Sequence, residues 1–348
     1  MIPQQRKQLK TKINNYKNII MSTNKKIASF SISGEITLNL HSLNNEGGEG
    51  NQIITRQVTI VDKEGKAHTV NAISGDMFKH IHAVYLAQLA KEQNLPLSKY
   101  AEALNPNRIS TEELKEYSKN NIAKSNGTSA DVVSAMIDIC TVCDTHGILI
   151  TDKVGDNKNS SNTPRKSTVE FGWTVGIPNK TNTESYIHTK LVADASGVKG
   201  ASSNEGQNIF HRPANHGVYA FVCSVDVYRI GFNDIDRTYP IDDASRYSRY
   251  KALVQSLLSS FINPKGAMTS TQKPHITDFK GVVAVSSKLT PAPTISAING
   301  DYQNEIEKIS ASINKIEDNA IEVKKFDGMG QLSEIMVELI SYEPYKIA

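Results

Sequence analysis

The chain has 348 residues, of which 39% are hydrophobic and 22% charged, and its formal net charge is only +3. This composition supports a sizeable core and excludes a chain that is disordered throughout, and the length fits about two domains or one domain with large insertions. No apolar run approaches the ~18 residues of a membrane helix, so no membrane partner is expected. Three cysteines cannot all pair with one another, which excludes a disulfide scaffold and favours a reducing cytoplasm.

The charge is concentrated at the two ends of the chain. A basic N-terminal extension, residues 1–26, carries seven basic side chains and no acidic one, whereas the acidic C-terminal region, residues 300–348, carries ten acidic and five basic ones. A basic run of this kind is usually a solvated tail, so we assign it no function, and Met21 is an alternative start of the chain. The body between the two ends is nearly neutral and creates no strong overall field.

After the N-terminal extension, the sequence predicts two extended segments followed by a helix. Residues 27–40 predict a strand because apolar side chains alternate along them. A loop rich in Gly, Asn and Glu at 41–51 separates this strand from a second extended run at 52–61. Ser74 is a favourable N-cap for a helix over 75–93, whose apolar residues recur at helical spacing.

The rest of the chain alternates between further helices and strands. The predicted elements are helices at 111–119, 130–143, 243–262 and 303–320, strands at 169–177, 185–193, 217–230 and 282–289, and a polar loop at 151–168. Without the loops and the insertions, the main order is strand, helix, strand, strand, helix, strand. The elements in this order are 27–40, 75–93, 185–193, 217–230, 243–262 and 282–289. This predicts an α+β fold with the ferredoxin-like βαββαβ arrangement that RNA-recognition modules also use.

Cysteine and histidine spacings give little support for catalysis. Cys140 and Cys143 form a single C-x-x-C, whereas a structural zinc site normally needs a second pair, so small buried thiols are favoured over a metal or redox site. His80 and His82 are two positions apart on a predicted helix and therefore point to different sides. No nucleophile elbow or phosphate loop occurs, so we predict no catalytic residue, no metal and no cofactor.

Two neighbouring segments carry groups suited to binding RNA. The start of the predicted helix 75–93 presents backbone N–H groups that attract phosphate, and Lys79 and His80 lie within reach of the same anion. An ordinary capped helix has the same features. The loop 41–51, followed by Arg56, suits hydrogen bonding to an oligonucleotide, and it equally suits a surface turn.

A third segment carries an aromatic ring beside basic side chains. Residues 195–216 separate two predicted strands and contain Phe210, His211 and Arg212. On a flexible hairpin these side chains can stack on bases or wedge between them. The alternative is a loop whose phenylalanine packs on the sheet.

Five strings of the sequence resemble the CRISPR-associated autoregulator (DevR-type) family. They are SISGEITLNLHSLNNEG (31–47), TRQVTIVDKEG (55–65), NAISGDMFKHIHA (71–83), CDTHGILI (143–150) and HRPANHGVYAF (211–221). The resemblance implies the guide-RNA-binding backbone subunit of a Type I, I-B-like, Cascade surveillance complex. Its expected partners are CRISPR guide RNA, target DNA through the guide, further copies of itself and other Cascade subunits.

The resemblance also implies a hand-shaped subunit. An RRM-like palm would comprise residues 27–94 and 185–290, a finger insertion residues 95–184, and a thumb hairpin residues 195–216 within the palm. Copies would stack into a helical filament along one guide RNA, and each thumb would displace a base at regular intervals.

The site residues are carried over from the family motifs. His41, Ser42, Asn44, Asn45, Arg56 and Gln57 are expected to line the RNA groove, Ser74, Gly75, Lys79 and His80 to hold backbone phosphate, and Phe210, His211 and Arg212 to lie in the thumb. Related backbone subunits cut target RNA with a loop aspartate, and loop 41–51 has none, so no cleavage is predicted. One alternative is a transcript-processing endoribonuclease that uses His41, His80 or His211. A DNA-binding autoregulator is the other, although no helix-turn-helix signal is present.

Overall fold

The computed structural model describes residues 25–44, 46–121, 128–151, 162–191 and 207–347. Within these ranges the helices are α1 (Gly75–Glu92), α2 (Lys99–Glu102), α3 (Thr111–Asn121), α4 (Ser129–Ile139), α5 (Thr141–His146), α6 (Asp243–Ile262), α7 (Tyr302–Ile316) and α8 (Met329–Ile340). The strands are β1 (Lys26–Ile27), β2 (Ser29–His41), β3 (Gly48–Glu49), β4 (Gln52–Ile53), β5 (Gln57–Val61), β6 (Ala67–Ile73), β7 (Ile148–Ile150), β8 (Thr163–Arg165), β9 (Val169–Phe171), β10 (Thr174–Leu191), β11 (Gln207–Val225), β12 (His275–Ser286), β13 (Ile321–Asp327) and β14 (Glu343–Pro344).

One large antiparallel sheet organises the molecule, with its strands in the order β13-β12-β2-β11-β10-β6-β5. Strand β9 pairs with the end of β11, and the short β3–β4 pair attaches to β11 through β4. The predicted α+β class is confirmed, and the strand–helix–strand–strand–helix–strand series is present as β2, α1, β10, β11, α6 and β12.

One face of the sheet is covered by helices α1, α6 and α8. Phe30 and Ile32 of β2 are buried against this layer, together with Phe221 of β11, Leu253 of α6 and Met336 of α8. Full burial of one such side chain stabilises the folded protein by about 1.5–3 kcal/mol. Because many buried side chains belong to this layer, it forms the main core.

The opposite face of the sheet is covered by the chain between β12 and β13. The Oγ of Ser31 in β2 donates a 2.6 Å hydrogen bond to the carbonyl of Pro293, and Ser29 Oγ accepts one from the N–H of Ala292 at 3.3 Å. Ile306 of α7 belongs to the apolar cluster on this side of β12. The middle strands are therefore buried on both faces.

A helical insertion, made of the described residues between 95 and 151, forms a smaller core beside α1 and α6. Asp144 of α5 ties it to the rest of the protein, because its carboxylate accepts hydrogen bonds from Arg165 (2.7 Å), from Arg249 of α6 (2.9 Å) and from the N–H of Gly231 (3.0 Å). The predicted helix 130–143 is divided at Cys140, which has extended backbone and caps α5.

Strands β10 and β11 form a long hairpin, and here the predicted boundaries were wrong. Residues 207–216, predicted as loop, continue β11 and pair with residues 182–191 of β10. The Gly- and Asn-rich composition indicated a loop, but the main-chain ladder extends through it. Phe210, His211 and Arg212 therefore lie on a strand, while residues 195–206 of the predicted thumb are outside the described residues.

Two other strand predictions need correction. The extended run 52–61 is interrupted, and β6, which was not predicted, pairs with β5 across a turn held by Asp62. The predicted strand 169–177 is divided by Gly172 and Trp173 into β9 and the start of β10.

The two ends of the described chain meet. Strand β1 pairs in parallel with β14, and Lys25 Nζ lies 3.2 Å from the carboxylate of Glu322 in β13. The acidic C-terminal region supplies β13, the edge strand of the main sheet, and α7 and α8, two of the helices that cover this sheet. Residues 1–24 of the basic extension lie outside the described residues.

Candidate nucleic-acid interface

The start of α1 is held in place by residues from three segments of the chain. Ser74 is the N-cap, as predicted, and its Oγ accepts a 3.2 Å hydrogen bond from the N–H of Met77. The amide of Asn44 donates to the carbonyl of Ala72 at 2.7 Å, and its oxygen accepts from the N–H of Ser74 at 3.0 Å. Gly75 is buried and packs so closely that an added Cβ would lie 2.5 Å from the carbonyl oxygen of Phe171. These residues hold the backbone of the helix start in place.

Beside this helix start lies a cleft of about 220 Å³, here called the α1 cleft. Lys79 and His80 line it, and the opposite wall, from the helical insertion, includes Arg108. The Arg108 guanidinium donates to the carbonyls of His146 and Gly147. The cleft therefore joins two residues predicted as phosphate ligands with one that sequence reasoning missed.

Two cations, Lys79 and Arg108, and one carboxylate, Asp76, line the α1 cleft. Burial, and then the neighbouring Arg108 charge, lower the pKa of Lys79, while Asp76 and Glu170 act in the opposite direction. Burial also lowers the pKa of Arg108. Within the described ranges, neither cation has a carboxylate oxygen within 4.0 Å of its nitrogens. A bound anion would relieve this unfavourable burial of two neighbouring cations.

The loop after β2 contributes less exposed surface than its residues suggest. His41 and Ser42 are buried, as is Asn44, and Asn45 lies outside the described residues. The ring of His41 packs edge-on against Tyr219 with centroids 5.1 Å apart, and burial lowers its pKa to about 3. His41 is therefore neutral and shielded, which is unfavourable for the acid–base role that an endoribonuclease would require.

Farther along the same loop the side chains become accessible. Gln57 is exposed at the start of β5, and Arg56 is partly exposed, with its guanidinium 5.8 Å from the ring centroid of Trp173. Arg56 Nε also lies 4.0 Å from a carboxylate oxygen of Glu46. Neither Trp173 nor Glu46 was predicted as a site residue, because their proximity to Arg56 depends on contacts distant in sequence.

The hairpin divides its three predicted residues between two faces. Phe210 stacks on His188 of β10 with ring centroids 5.8 Å apart, and the Arg212 guanidinium lies 4.7 Å from the Phe210 ring. His211 falls on the other face because side chains alternate along a strand, and it pairs with Ile187. The structure thus brings Phe210 and Arg212 together and separates His211 from them.

The loop after β2 connects the hairpin to the helix start. The N–H of His211 donates to the carbonyl of Asn51 at 2.8 Å. Thr55 Oγ1 donates to the side chain of Asn215 at 2.9 Å, and the N–H of Ala72 donates to the carbonyl of Arg56 at 3.1 Å. The three segments singled out in the sequence therefore form one continuous region.

Other chemistry finds little support. Cys140 and Cys143 are buried free thiols, and no group of three or more metal-binding side chains is assembled among the described residues. His82 is buried, with its Nδ1 2.9 Å from His146 Nε2, while His80 is exposed on the α1 cleft, as their spacing predicted. A search of the same residues for a helix long and apolar enough to span a membrane finds none.

The sequence matches the model of a CRISPR-associated family over most of its length. The family model described as CRISPR-associated negative auto-regulator DevR/Csa2 matches residues 32–307. The chain belongs to this family, which confirms the resemblance seen in the sequence.

Two curated relatives carry the description CRISPR-associated protein Cas7/Cst2/DevR. The protein from Methanocaldococcus jannaschii is 25% identical over 333 residues, which cover 89% of this chain and 97% of the relative. The one from Thermoproteus tenax is 23% identical over 292 residues, covering 79% and 78%.

Solved structures also align with most of the chain. A chain of a CRISPR RNA-guided surveillance complex in a pre-nicking state has a TM-score of 0.48 at 10% identity, covering 89% of this chain and 99% of that one. A second chain of such a complex has a TM-score of 0.47 at 11% identity, covering 90% and 98%.

Proposed function

We propose that this protein is a non-catalytic backbone subunit of a Type I, I-B-like, CRISPR surveillance complex. It holds guide RNA by its sugar–phosphate backbone, assembles with further copies of itself and with other Cascade subunits, and presents the guide for pairing with target DNA. The family membership and the curated relatives' descriptions support the CRISPR assignment.

The strand order supports an RRM-like palm. Strands β12-β2-β11-β10 are adjacent in the sheet, and α1 and α6 pack together on one of its faces, which is the arrangement of a split βαβ module. The proposed palm is residues 27–94 and 185–290, with the finger insertion at 95–184 and the thumb at 195–216.

RNA-recognition modules stack bases on aromatic side chains of the open sheet face. Here β2 presents Ser29 and Ser31 to that face, and residues 292 and 293 cover them. The guide must therefore be held by the loops, the helix start and the hairpin rather than by the centre of the sheet. This agrees with the positions of the accessible candidate residues.

The main support for the proposal is the position of the α1 cleft, which lies beside the loop after β2 and the β10–β11 hairpin. Lys79 and Arg108 share a partly buried cleft without an ion-paired carboxylate among the described residues, and Arg56 lies on the connecting loop. Contacts of this kind bind phosphate and carry no sequence information, so base pairing with the target would provide the specificity.

A weakly charged subunit can still bind RNA tightly when many copies line one strand. The formal net charge of +3 gives little long-range attraction. Linked contacts along a guide raise the overall affinity because each further subunit binds at a high effective concentration. Release of counterions should make this affinity depend strongly on salt.

The decisive experiment is co-expression with the neighbouring genes and a guide array, followed by measurement of mass and nucleic-acid content. We expect a multi-copy particle that contains guide RNA of uniform length. Discrete cut products from the purified protein alone would favour the endoribonuclease, and duplex DNA binding without a guide would favour the autoregulator. Protein that remains free of RNA would contradict the proposal.

Charge reversal at Lys79 tests the α1 cleft. Lys79→Glu should weaken RNA binding, and the slope of log affinity against log salt should fall in magnitude by about 0.7 for each single-strand phosphate that the variant no longer neutralises. Lys315→Glu, on the exposed surface of α7, is the matched control and should change neither quantity. Equal effects from the two variants would indicate a nonspecific charge effect and would remove the cleft from the interface.

A further inference from the structure

Trp173 is the only tryptophan of the chain, and its side chain is 45% exposed. It lies in the two-residue connection between β9 and β10, and both strands belong to the main sheet. The preceding Gly172 contacts β11 so closely that a Cβ would lie 2.4 Å from Val222 Cγ2. The backbone that carries the indole is therefore fixed, although the ring is accessible.

The surroundings of this ring are polar and charged. The Arg56 guanidinium lies 5.8 Å from its centroid, a geometry suited to a cation–π contact. Arg56 Nε also lies 4.0 Å from a carboxylate oxygen of Glu46, whose side chain is only 4% exposed. One of its oxygens, Oε1, has no hydrogen-bond partner among the described residues. The site therefore combines an accessible aromatic surface with a partly exposed cation.

The same connection borders the start of α1. Gly75 packs against the carbonyl oxygens of Phe171 and Gly172, the two residues before Trp173. Lys79 is also close enough to Glu170 of β9 for that charge to act on its pKa. A nucleotide whose phosphate occupies the α1 cleft would thus belong to a strand that passes near the indole.

We propose that Trp173 is a base-stacking residue, on which one unpaired nucleobase of single-stranded RNA lies while Arg56 supports the indole. This inference rests on the proposed function and assigns it a contact that the sequence motifs do not contain. Aromatic stacking accepts any base, because every base presents a π-face, so it matches a subunit that must hold guides of any sequence.

The single tryptophan makes the contact directly measurable. Titration of the full chain with a ten-nucleotide single-stranded RNA should quench the indole emission, with the same midpoint as the anisotropy of the labelled RNA. An oligomer of equal length with abasic riboses keeps the phosphates but should not quench. Trp173→Ala should lower the affinity roughly tenfold, within the range that stacking gives. Trp173→Phe should retain most of the affinity.

Tyr100→Ala is the matched control, because Tyr100 is an exposed aromatic residue on α2 and does not line the α1 cleft. RNA binding with unchanged emission and an unaffected Trp173→Ala variant would overturn the stacking proposal and leave the proposed function intact. Absence of any RNA binding, by anisotropy as well as emission, would instead contradict the proposed function. An emission change that follows protein concentration without RNA would assign Trp173 to a contact between copies and would overturn stacking.

Discussion

Removal of the buried Asp144 carboxylate should be one of the most destabilising single changes in this protein. The side chain is 0% exposed, and it neutralises Arg165 and Arg249, which are also buried. The substitution Asp144→Asn keeps the shape but removes the charge. Its amide would also place N–H donors toward a guanidinium that needs an acceptor.

The size of the expected loss in stability depends on which carboxylates remain near Arg165 and Arg249. Removal of one partner from a buried ion pair costs about 3–5 kcal/mol, because the other charge stays buried without compensation. Arg165 retains a 3.0 Å contact with Asp234, whose side chain is 41% exposed, whereas Arg249 has no second carboxylate within 4.0 Å among the described residues. We therefore expect Asp144→Asn to lower the free energy of unfolding by about 3 kcal/mol, toward the lower end of that range.

Urea denaturation followed by far-ultraviolet circular dichroism and by Trp173 emission would measure this loss. Asp234→Asn is the control and should cost less than about 1 kcal/mol, because a half-exposed ion pair contributes little. Because Asp144 lies in the helical insertion and Arg249 on α6, hydrogen exchange should increase first within the insertion. A change below about 1 kcal/mol for Asp144→Asn, or one equal to the control, would refute the electrostatic reasoning.

Two further predictions concern acid stability and the helix start. Burial lowers the pKa of His41 to about 3 and that of His82 to about 4. As the pH falls, these histidines therefore become protonated in the unfolded chain before they do in the folded protein. The associated stability is complete above about pH 6.5 and is lost as the pH falls, by about 2 kcal/mol per histidine at pH 5, and His41→Gln should flatten the measured profile. Gly75→Ala should lower the free energy of unfolding by about 1–3 kcal/mol, because the new Cβ would lie 2.5 Å from the Phe171 carbonyl; an unchanged urea midpoint would contradict this.

Elements with a strong local signal could be predicted from the sequence. Alternation along β2, the N-cap at Ser74 and the apolar stripe of α6 each depend on neighbouring residues. Strand β6 was not predicted because its polar sequence has little alternation, and it forms by pairing with β5 and β10. The length of the hairpin was underestimated for a similar reason, since cross-strand pairing rather than composition extends it.

The burial of His41 has a specific physical cause. Even-numbered residues of β2, such as Ile36 and Leu38, point toward the helical layer, so simple alternation would bury residue 40 and expose residue 41. Leu40 instead has a φ of 53° and is 46% exposed, and the pairing with β11 shifts between Asn215 and Gly217. Leucine rarely adopts positive φ, so the sequence contains no sign of this reversal.

The residues that sequence reasoning missed depend on distant contacts. Arg108 enters the α1 cleft because the helical insertion folds back on α1, and Trp173 meets Arg56 because β10 lies next to β6. Each contact joins residues that are far apart in sequence, so no short motif contains both partners. Local patterns therefore identified the α1 side of the cleft, and tertiary structure was needed to find its other wall.

The parallel pairing of β1 with β14 has a consequence for biosynthesis. The Lys26–Glu343 and Ile27–Pro344 pairs join positions more than three hundred residues apart, and β2 also requires β12 as a neighbour. While the polypeptide is still being synthesised, β1 cannot pair with β14 until β14 has emerged from the ribosome. Products that terminate before β12 would lack both β14 and residues 292 and 293, which cover the central sheet, so we expect them not to reach this fold.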